Sequence, residues 1–452
     1  MTLDLLLTNA ALVLPDVGVV PGAVGVRDGR IAALLEPGTT LPARETVDCA
    51  GRWVMPGLVD PHVHFGFGSP ETDFLTEARS AALGGVTTVL SFHRSADPRE
   101  ALPAVRDRAE TQSCIDFGFH FGITHRLHVE TLVEASHALG VTSYKIYLMY
   151  KGQAGLSKGF TEIDDGLLFA AMQQARRVPG AVLGVHCENV EVIPVLRDPL
   201  RRAGRDDLAA WDDQSPDFLE AENVHRVCYF AAKTGCPVNI VHLSSREALE
   251  EVRRHRRDHR ADISVETCPH FLTMTRDDPS GPLAKVNPPL RQAADVDALW
   301  EGVRDGTVTT IGTDHVGRKR ETKTALWSAT NGFPGLATML PSLIDEGVHK
   351  RGVPIERIAA LTSATPARLY GLRGKGQLAV GYDADLVVVD PDLTRTVDPA
   401  TLESYADYSP LEGRSLTGWP VMTVLRGMTI ARDGRVTDSA REHPRGRYLA
   451  RL

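Results

Sequence analysis

The chain has 452 residues, of which 42% are hydrophobic, 24% charged and 6% aromatic, the balance of an ordinary globular protein and not of a disordered or fibrous one. That length exceeds one small domain and suits a large α/β barrel with an accessory domain. A formal net charge of −8 repels nucleic acid and anionic membrane, which excludes polyanion binding as the main activity.

The chain opens on "MTLDLLLTNAALVLPDVG", which is apolar, but Asp4 stands where a signal peptide carries positive charge and no small-residue cleavage site follows. No segment approaches the roughly 20 apolar residues that span a bilayer. A cytoplasmic protein is expected. Residues 1 to about 52 read as short strands and turns ("AVGVRDGRIAAL"), and so do residues from about 373 to 436 ("GYDADLVVVDPD", "MTVLRGMTIARDGRV"). The two ends are therefore expected to pair into one small β domain, leaving 437–452 as a C-terminal tail.

Between them, over 53–372, eight apolar and β-branched runs alternate with helical spacing: "WVMPGLVDPHVHF", "VTTVLSF", "DFGFHFGIT", "TSYKIYLM", "AVLGVHCEN", "PVNIVHLSS", "DISVETC" and "VTTIGTDH". In "DFLTEARSAALGG" Phe74, Ala78 and Ala82 repeat every four residues and Gly84 and Gly85 stop the helix; "VETLVEASHALG" and "ENVHRVCYFAAKTG" also end on glycine. The fold expected is α/β, a (β/α)8 TIM-like barrel with a small β-sandwich domain formed from both termini. A doubly wound open sheet is the alternative, against which stands the lack of a glycine-rich phosphate turn after the first strand. The basic run "EEVRRHRRDHR" (250–260) reads as the solvated end of a surface helix. The six cysteines (Cys49, Cys114, Cys187, Cys228, Cys236, Cys268) are scattered, without a CxxC pair, and read as buried free thiols.

The chemistry-bearing residues fall at the C-terminal ends of these strands. Residues two apart on a strand face the same way, so His62 and His64 of "DPHVHF" enter the barrel together. An HxH pair is by itself a weak metal signal. His186 in "VHCEN", His242 in "VHLSS" and Asp314 in "GTDH" stand at three more strand ends, and Lys145 lies inside "TSYKIYLMY". Any one could be structural, but their joint placement on the catalytic face points to a metal centre. A lysine ammonium among metal-seeking histidines would repel cations. A deprotonated lysine instead takes up carbon dioxide to form a carbamate that behaves as a bridging carboxylate, and burial favours the neutral amine this needs. The competing reading is a lysine whose ammonium snorkels outward.

Together "DPHVHF", "SYKIYLMY", "VHCEN", "VHLSS", "ETCPHFLT", "NPPLR", "GTDH", "NGFPG" and "GYDADLVVVD" resemble the cyclic amidohydrolases of the amidohydrolase superfamily, the hydantoinase/dihydropyrimidinase subgroup above all, with allantoinase and dihydroorotase as cousins. The motifs span nearly the whole chain in order. The resemblance implies metal-dependent hydrolysis of a C–N bond in a hydantoin or dihydropyrimidine ring, giving an N-carbamoyl amino acid. It implies two divalent metal ions, zinc favoured by the imidazole and oxygen donors. One is held by His62, His64, N6-carboxylated Lys145 and Asp314, the other by the same carbamate with His186 and His242. On the same resemblance a shared hydroxide attacks the ring amide carbon, the Tyr150 hydroxyl helps stabilise the oxyanion, and Asp314 moves the proton to the leaving nitrogen. Asn287 and Asn331 fall where backbone groups hold the ureide edge. The partner implied is a small cyclic ureide or amide, and the assembly a homodimer or homotetramer.

Two departures bear on the substrate. Gly66 stands where dihydroorotases resembling this chain carry an arginine for the substrate carboxylate, and Arg94 aligns with their asparagine after the second strand, which disfavours that activity. "DHVGRKRETK" puts Arg318, Lys319 and Arg320 in the last βα loop, and these or Arg94 are candidates to recognise an anionic substituent. "KGQAGLSKGFTEIDDG" is long for a hydantoinase and, like "FGFGSPETDF", reads as a candidate lid. A non-catalytic scaffold paralogue is the reading from another class, but such relatives have lost metal ligands, and all six are present here.

Overall fold

A computed structural model describes residues 2–161, 163–259 and 261–452. Five strands open the chain, β1 (Leu3–Leu14), β2 (Gly18–Arg27), β3 (Arg30–Leu35), β4 (Ala43–Asp48) and β5 (Trp53–Pro56). Eight follow, β6 (Leu58–Val63), β7 (Val86–His93), β8 (Asp116–Ile123), β9 (Ser143–Tyr147), β10 (Val182–His186), β11 (Val238–Ile240), β12 (Ile263–Thr267) and β13 (Thr310–Ile311). Four close it, β14 (Leu386–Thr396), β15 (Ser415–Leu425), β16 (Met428–Arg432) and β17 (Arg435–Val436).

β6 to β13 make one eight-stranded sheet in strict chain order, with parallel pairing from β8 through β13, the (β/α)8 barrel. Strands covered on both faces are largely apolar, and every residue of β8, β9 and β10 is buried, Lys145 among them. The glycine stops act as the sequence suggests at Gly140 and Gly235, which end Leu132–Leu139 and Asp217–Thr234 in the left-handed conformation.

The chain divides into two compact units, Met1–Leu90 with Asp107–Phe117 and Pro334–Leu449, and Ser91–Arg106 with Gly118–Phe333 and Ala450–Leu452. The first contains the terminal strands as one mixed sheet, ordered β17-β16-β15-β14-β5-β1-β2-β3 with β4 also on β1. Leu5, Leu7, Val24, Val26, Val54, Leu386, Val388 and Val424 form its main core, while Leu3, Leu6 and Ala23 pack in a second cluster.

"WVMPGLVDPHVHF", which reads as one strand, is two: β5 pairs with β14 in the terminal sheet and β6 begins the barrel. The hinge is Gly57, whose N–H donates to Asp385 and where a Cβ would meet the Thr87 side chain at 2.3 Å. The basic run lies on the helix Arg246–His259 but is not all solvated: Arg253 pairs with Glu250 and Asp305, and Arg256 donates to the carbonyls of Ile263 and Thr307. All six cysteines are buried and free.

The candidate metal centre and its surroundings

In the second unit Lys145 occupies the middle of β9, level with Gly122 of β8 and Gly184 of β10. Flanking glycines leave lateral room for a long side chain, and at Gly122 the stem of Arg94 takes part of it, since a Cβ there would lie 2.7 Å from Arg94 Cγ. Lys145 is 1% exposed, with Nζ 4.3 Å from the Phe92 ring centre and 5.0 Å from that of Tyr147. Burial pushes its ammonium down to about 8 despite the opposing pull of Asp314 and Glu266.

His186 closes β10. Its Nδ1 lies 2.9 Å from His242 Nε2, and its Nε2 lies 3.2 Å from Glu188 Oε2. Glu188 in turn accepts from Ser215 at 2.7 Å, and burial keeps the His186 imidazole neutral. A carboxylate on one ring nitrogen fixes the tautomer, so His186 Nε2 carries the proton and Nδ1 presents a lone pair toward His242, the arrangement found around metal-bound histidines. His242 and Asp314, just past β11 and β13, both have left-handed backbones, φ +41° and +51°. A non-glycine residue adopts that conformation at a cost, and such strain clusters at functional sites. Below His242, Ser244 and Ser245 donate to Glu220, and Arg291 donates to Ser244 and Asp212, a buried network that fixes this loop.

In the first unit His62 and His64 stand with ring centres 5.4 Å apart, and the backbone N–H of His62 donates to Asp60 at 3.0 Å. Asp60 and Glu188 were missed in the sequence reading although the signal was there: each lies two residues from a histidine, Asp60 within β6 and Glu188 just past β10.

Tyr150 packs its ring 4.4 Å from Phe160 and 5.8 Å from Tyr147, and Lys158 Nζ approaches its hydroxyl at 3.4 Å. Arg94 lies 5.3 Å over Phe160 and 5.6 Å over Tyr147, in the electrostatic neighbourhood of Lys145. The segment read as a candidate lid is thus anchored by buried Phe160; Glu162 within it lies outside the described residues. The Asn287 side chain accepts from Trp211 Nε1 at 3.1 Å, and Asn331 has a buried Oδ1 without a hydrogen-bond partner among the described residues. Arg318 and Lys319 are half-buried and Arg320 is exposed. Two further lysines lie close by. Lys323 donates to the carbonyls of Lys285 and Thr330, and Lys285 to that of Ala329, joining the segments that carry Asn287 and Asn331.

Residues 217–430 match the model of the Amidohydrolase family. L-hydantoinase of Paenarthrobacter aurescens is 32% identical over 446 residues, covering 96% of this chain and 95% of its own. Allantoinase of Rubrobacter xylanophilus is 35% identical over 443 residues, covering 94% and 93%. Among solved structures, L-hydantoinase (dihydropyrimidinase) from Arthrobacter aurescens superposes with a TM-score of 0.91 at 31% identity, over 99% of this chain and 100% of that one. Dihydropyrimidinase from Brevibacillus agri superposes with a TM-score of 0.88 at 26% identity, over 99% and 98%.

Proposed function

Since the chain belongs to the amidohydrolase family, and within it is a cyclic amidohydrolase that uses divalent metal, we propose that it opens a hydantoin- or dihydropyrimidine-type ring at a C–N bond to give an N-carbamoyl amino acid. The observation that carries this reading is Lys145: a lysine buried in a barrel strand, with its ammonium pushed down to about 8, and with Asp314 and His186 among its electrostatic neighbours. Its neutral amine nitrogen bonds to carbon dioxide and loses a proton, leaving the carbamate oxygens as ligands.

On this reading one zinc ion would be held by His62, His64, carboxylated Lys145 and Asp314, and a second by the carbamate with His186 and His242. When bound, such ions lower the pKa of coordinated water to about 7 and so supply a nucleophile at neutral pH. The protein's own groups do the rest. Glu188 holds His186 in the tautomer that offers Nδ1. The Tyr150 hydroxyl donates to the ring carbonyl oxygen as charge gathers there, Asp314 receives the proton and delivers it to the leaving ring nitrogen, and the Asn287 and Asn331 segments hold the ureide edge. Arg94 borders the substituent. Location in the cytoplasm and a homodimeric or homotetrameric assembly belong to the same reading; among the described residues no helix is long and apolar enough to cross a membrane.

The experiment is ring opening across hydantoin, neutral and acidic 5-substituted hydantoins, dihydrouracil, allantoin and dihydroorotate, by zinc-loaded protein supplied with bicarbonate. Opening of a hydantoin or dihydrouracil, lost in Lys145→Ala, is expected. Allantoin alone being opened would move the substrate to the allantoinase class, and silence across the panel with metal bound would overturn the assignment.

A further inference from the structure

A second group of metal-ligand side chains lies in the second unit on two packed surface helices, Asp217–Thr234 and Arg246–His259. Glu251 and His255 are four residues apart, one above the other on the second helix, and His225 faces them from the first. His225 Nδ1 is 3.0 Å from His255 Nε2 and 3.1 Å from Glu251 Oε2, and the three ligand atoms all lie within 4.8 Å of one another. A cation bound tetrahedrally at 2.0–2.1 Å holds its ligand atoms about 3.3 Å apart. Two of the three edges are already near that length.

A cation already bridges two of these groups. Arg254 Nη2 also lies 2.8 Å from His225 Nδ1 and pairs with Glu251. A guanidinium only donates, so it requires a lone pair on Nδ1; the Glu251 carboxylate only accepts, so it requires a proton on the same Nδ1. With the lone pair on Nδ1, this nitrogen and the carboxylate are two acceptors 3.1 Å apart that one shared cation holds together. An ion that takes a lone pair from both imidazoles and the carboxylate satisfies all three at once, and the Arg254 guanidinium, itself a cation pressed against two of them, is its stand-in. The Arg254 side chain is 47% exposed and can swing into water to make way.

We propose that His225, Glu251 and His255 form an ancillary site for a divalent cation of the imidazole-seeking class, zinc foremost, which clamps the two helices and exchanges with the Arg254 side chain. The fourth position falls to water, as His225 is half exposed. The site takes no part in ring opening and does not depend on the catalytic reading.

The test counts zinc in the full-length enzyme equilibrated in chelator-buffered zinc. Wild type is expected to hold one zinc per chain more than His225→Ala, to bind that ion at least about 10-fold tighter than the variant does, and to gain thermal stability from it that the variant does not, while both open the ring at the same rate. Arg254→Met, which removes the competing cation, is expected to bind the extra ion more tightly than wild type. Glu251→Gln repeats the count should His225→Ala fail to fold. Equal zinc content in wild type and the ligand variants, or an extra ion that survives both substitutions, overturns the proposal.

Discussion

Two buried lysines, one in each unit, show what a charge's neighbours decide. Lys375 has its Nζ 2.6 Å from Asp116 and from Asp385 and 3.0 Å from Asp383. Burial by itself would lower its pKa, but the three carboxylates outweigh burial and hold the ammonium above the ordinary lysine range. Lys145 is buried as well, yet there burial outweighs Asp314 and Glu266 and the pKa falls to about 8. Lys375 is thus locked as a cation and serves as a fastener at the root of β8 and β14, whereas Lys145 gives up its proton more easily, as the proposed carbamate needs. A buried lysine is held as a cation where its carboxylates outweigh burial, and is eased toward the neutral amine where burial wins.

The contrast can be broken in four places. Lys145→Ala removes the only amine proposed to become a metal ligand, so kcat/KM for ring opening should fall by more than about 10^3-fold, beyond what one oxyanion donor carries; steady-state kinetics with metal analysis reads this, and a loss under tenfold would return Lys145 to the structural class. Lys375→Met leaves buried aspartates without their shared counter-charge and should cost about 3–5 kcal/mol of stability. Urea unfolding measures it, and a midpoint near wild type would mean the cluster is solvated or protonated. Tyr150→Phe should lower kcat about 10^2- to 10^3-fold with little change in KM if its hydroxyl meets charge only in the transition state, and a rise in KM alone would make it a binding residue.

The smallest effect is in pH. At a pKa of about 8, roughly a tenth of Lys145 is neutral at pH 7, against about one part in 3000 at the ordinary value of 10.5. Reactivation of metal-stripped protein by bicarbonate and zinc should therefore speed up about tenfold from pH 6 to 7 and level off above pH 8. A rate still climbing tenfold per unit at pH 9 would show that burial has not lowered this pKa.

The barrel was legible because parallel strands buried on both faces write themselves as largely apolar runs, and helices such as Leu132–Leu139 and Asp217–Thr234 stop on left-handed glycines. The ligand types were legible for the same reason: His186, His242 and Asp314 each end such a run. Asp60 and Glu188 escaped notice because a carboxylate two residues from a histidine looks in sequence like any other strand or loop acid. The Lys285 and Lys323 ties were not legible at all, since their acceptors are backbone carbonyls 44 and up to 38 residues away. The split of "WVMPGLVDPHVHF" was hidden too, because both halves are apolar and only the close approach of Thr87 reveals what Gly57 is for. Glu251 and His255 fell in a run whose arginines drew attention to charge, and His225 lies on a different helix.

The mixed sheet has a consequence for biosynthesis. β5 finds its neighbour β14 only after roughly 330 further residues have been made, which at 5–20 residues per second takes on the order of 15 to 65 s on the ribosome. During that interval the β5 edge of the nascent chain offers unpaired backbone to any passing strand. A ribosome that stalls before Leu386 therefore releases an adhesive fragment and not a smaller enzyme, and production of this protein should respond more to chaperone supply and translation speed than to any change in the metal-binding loops.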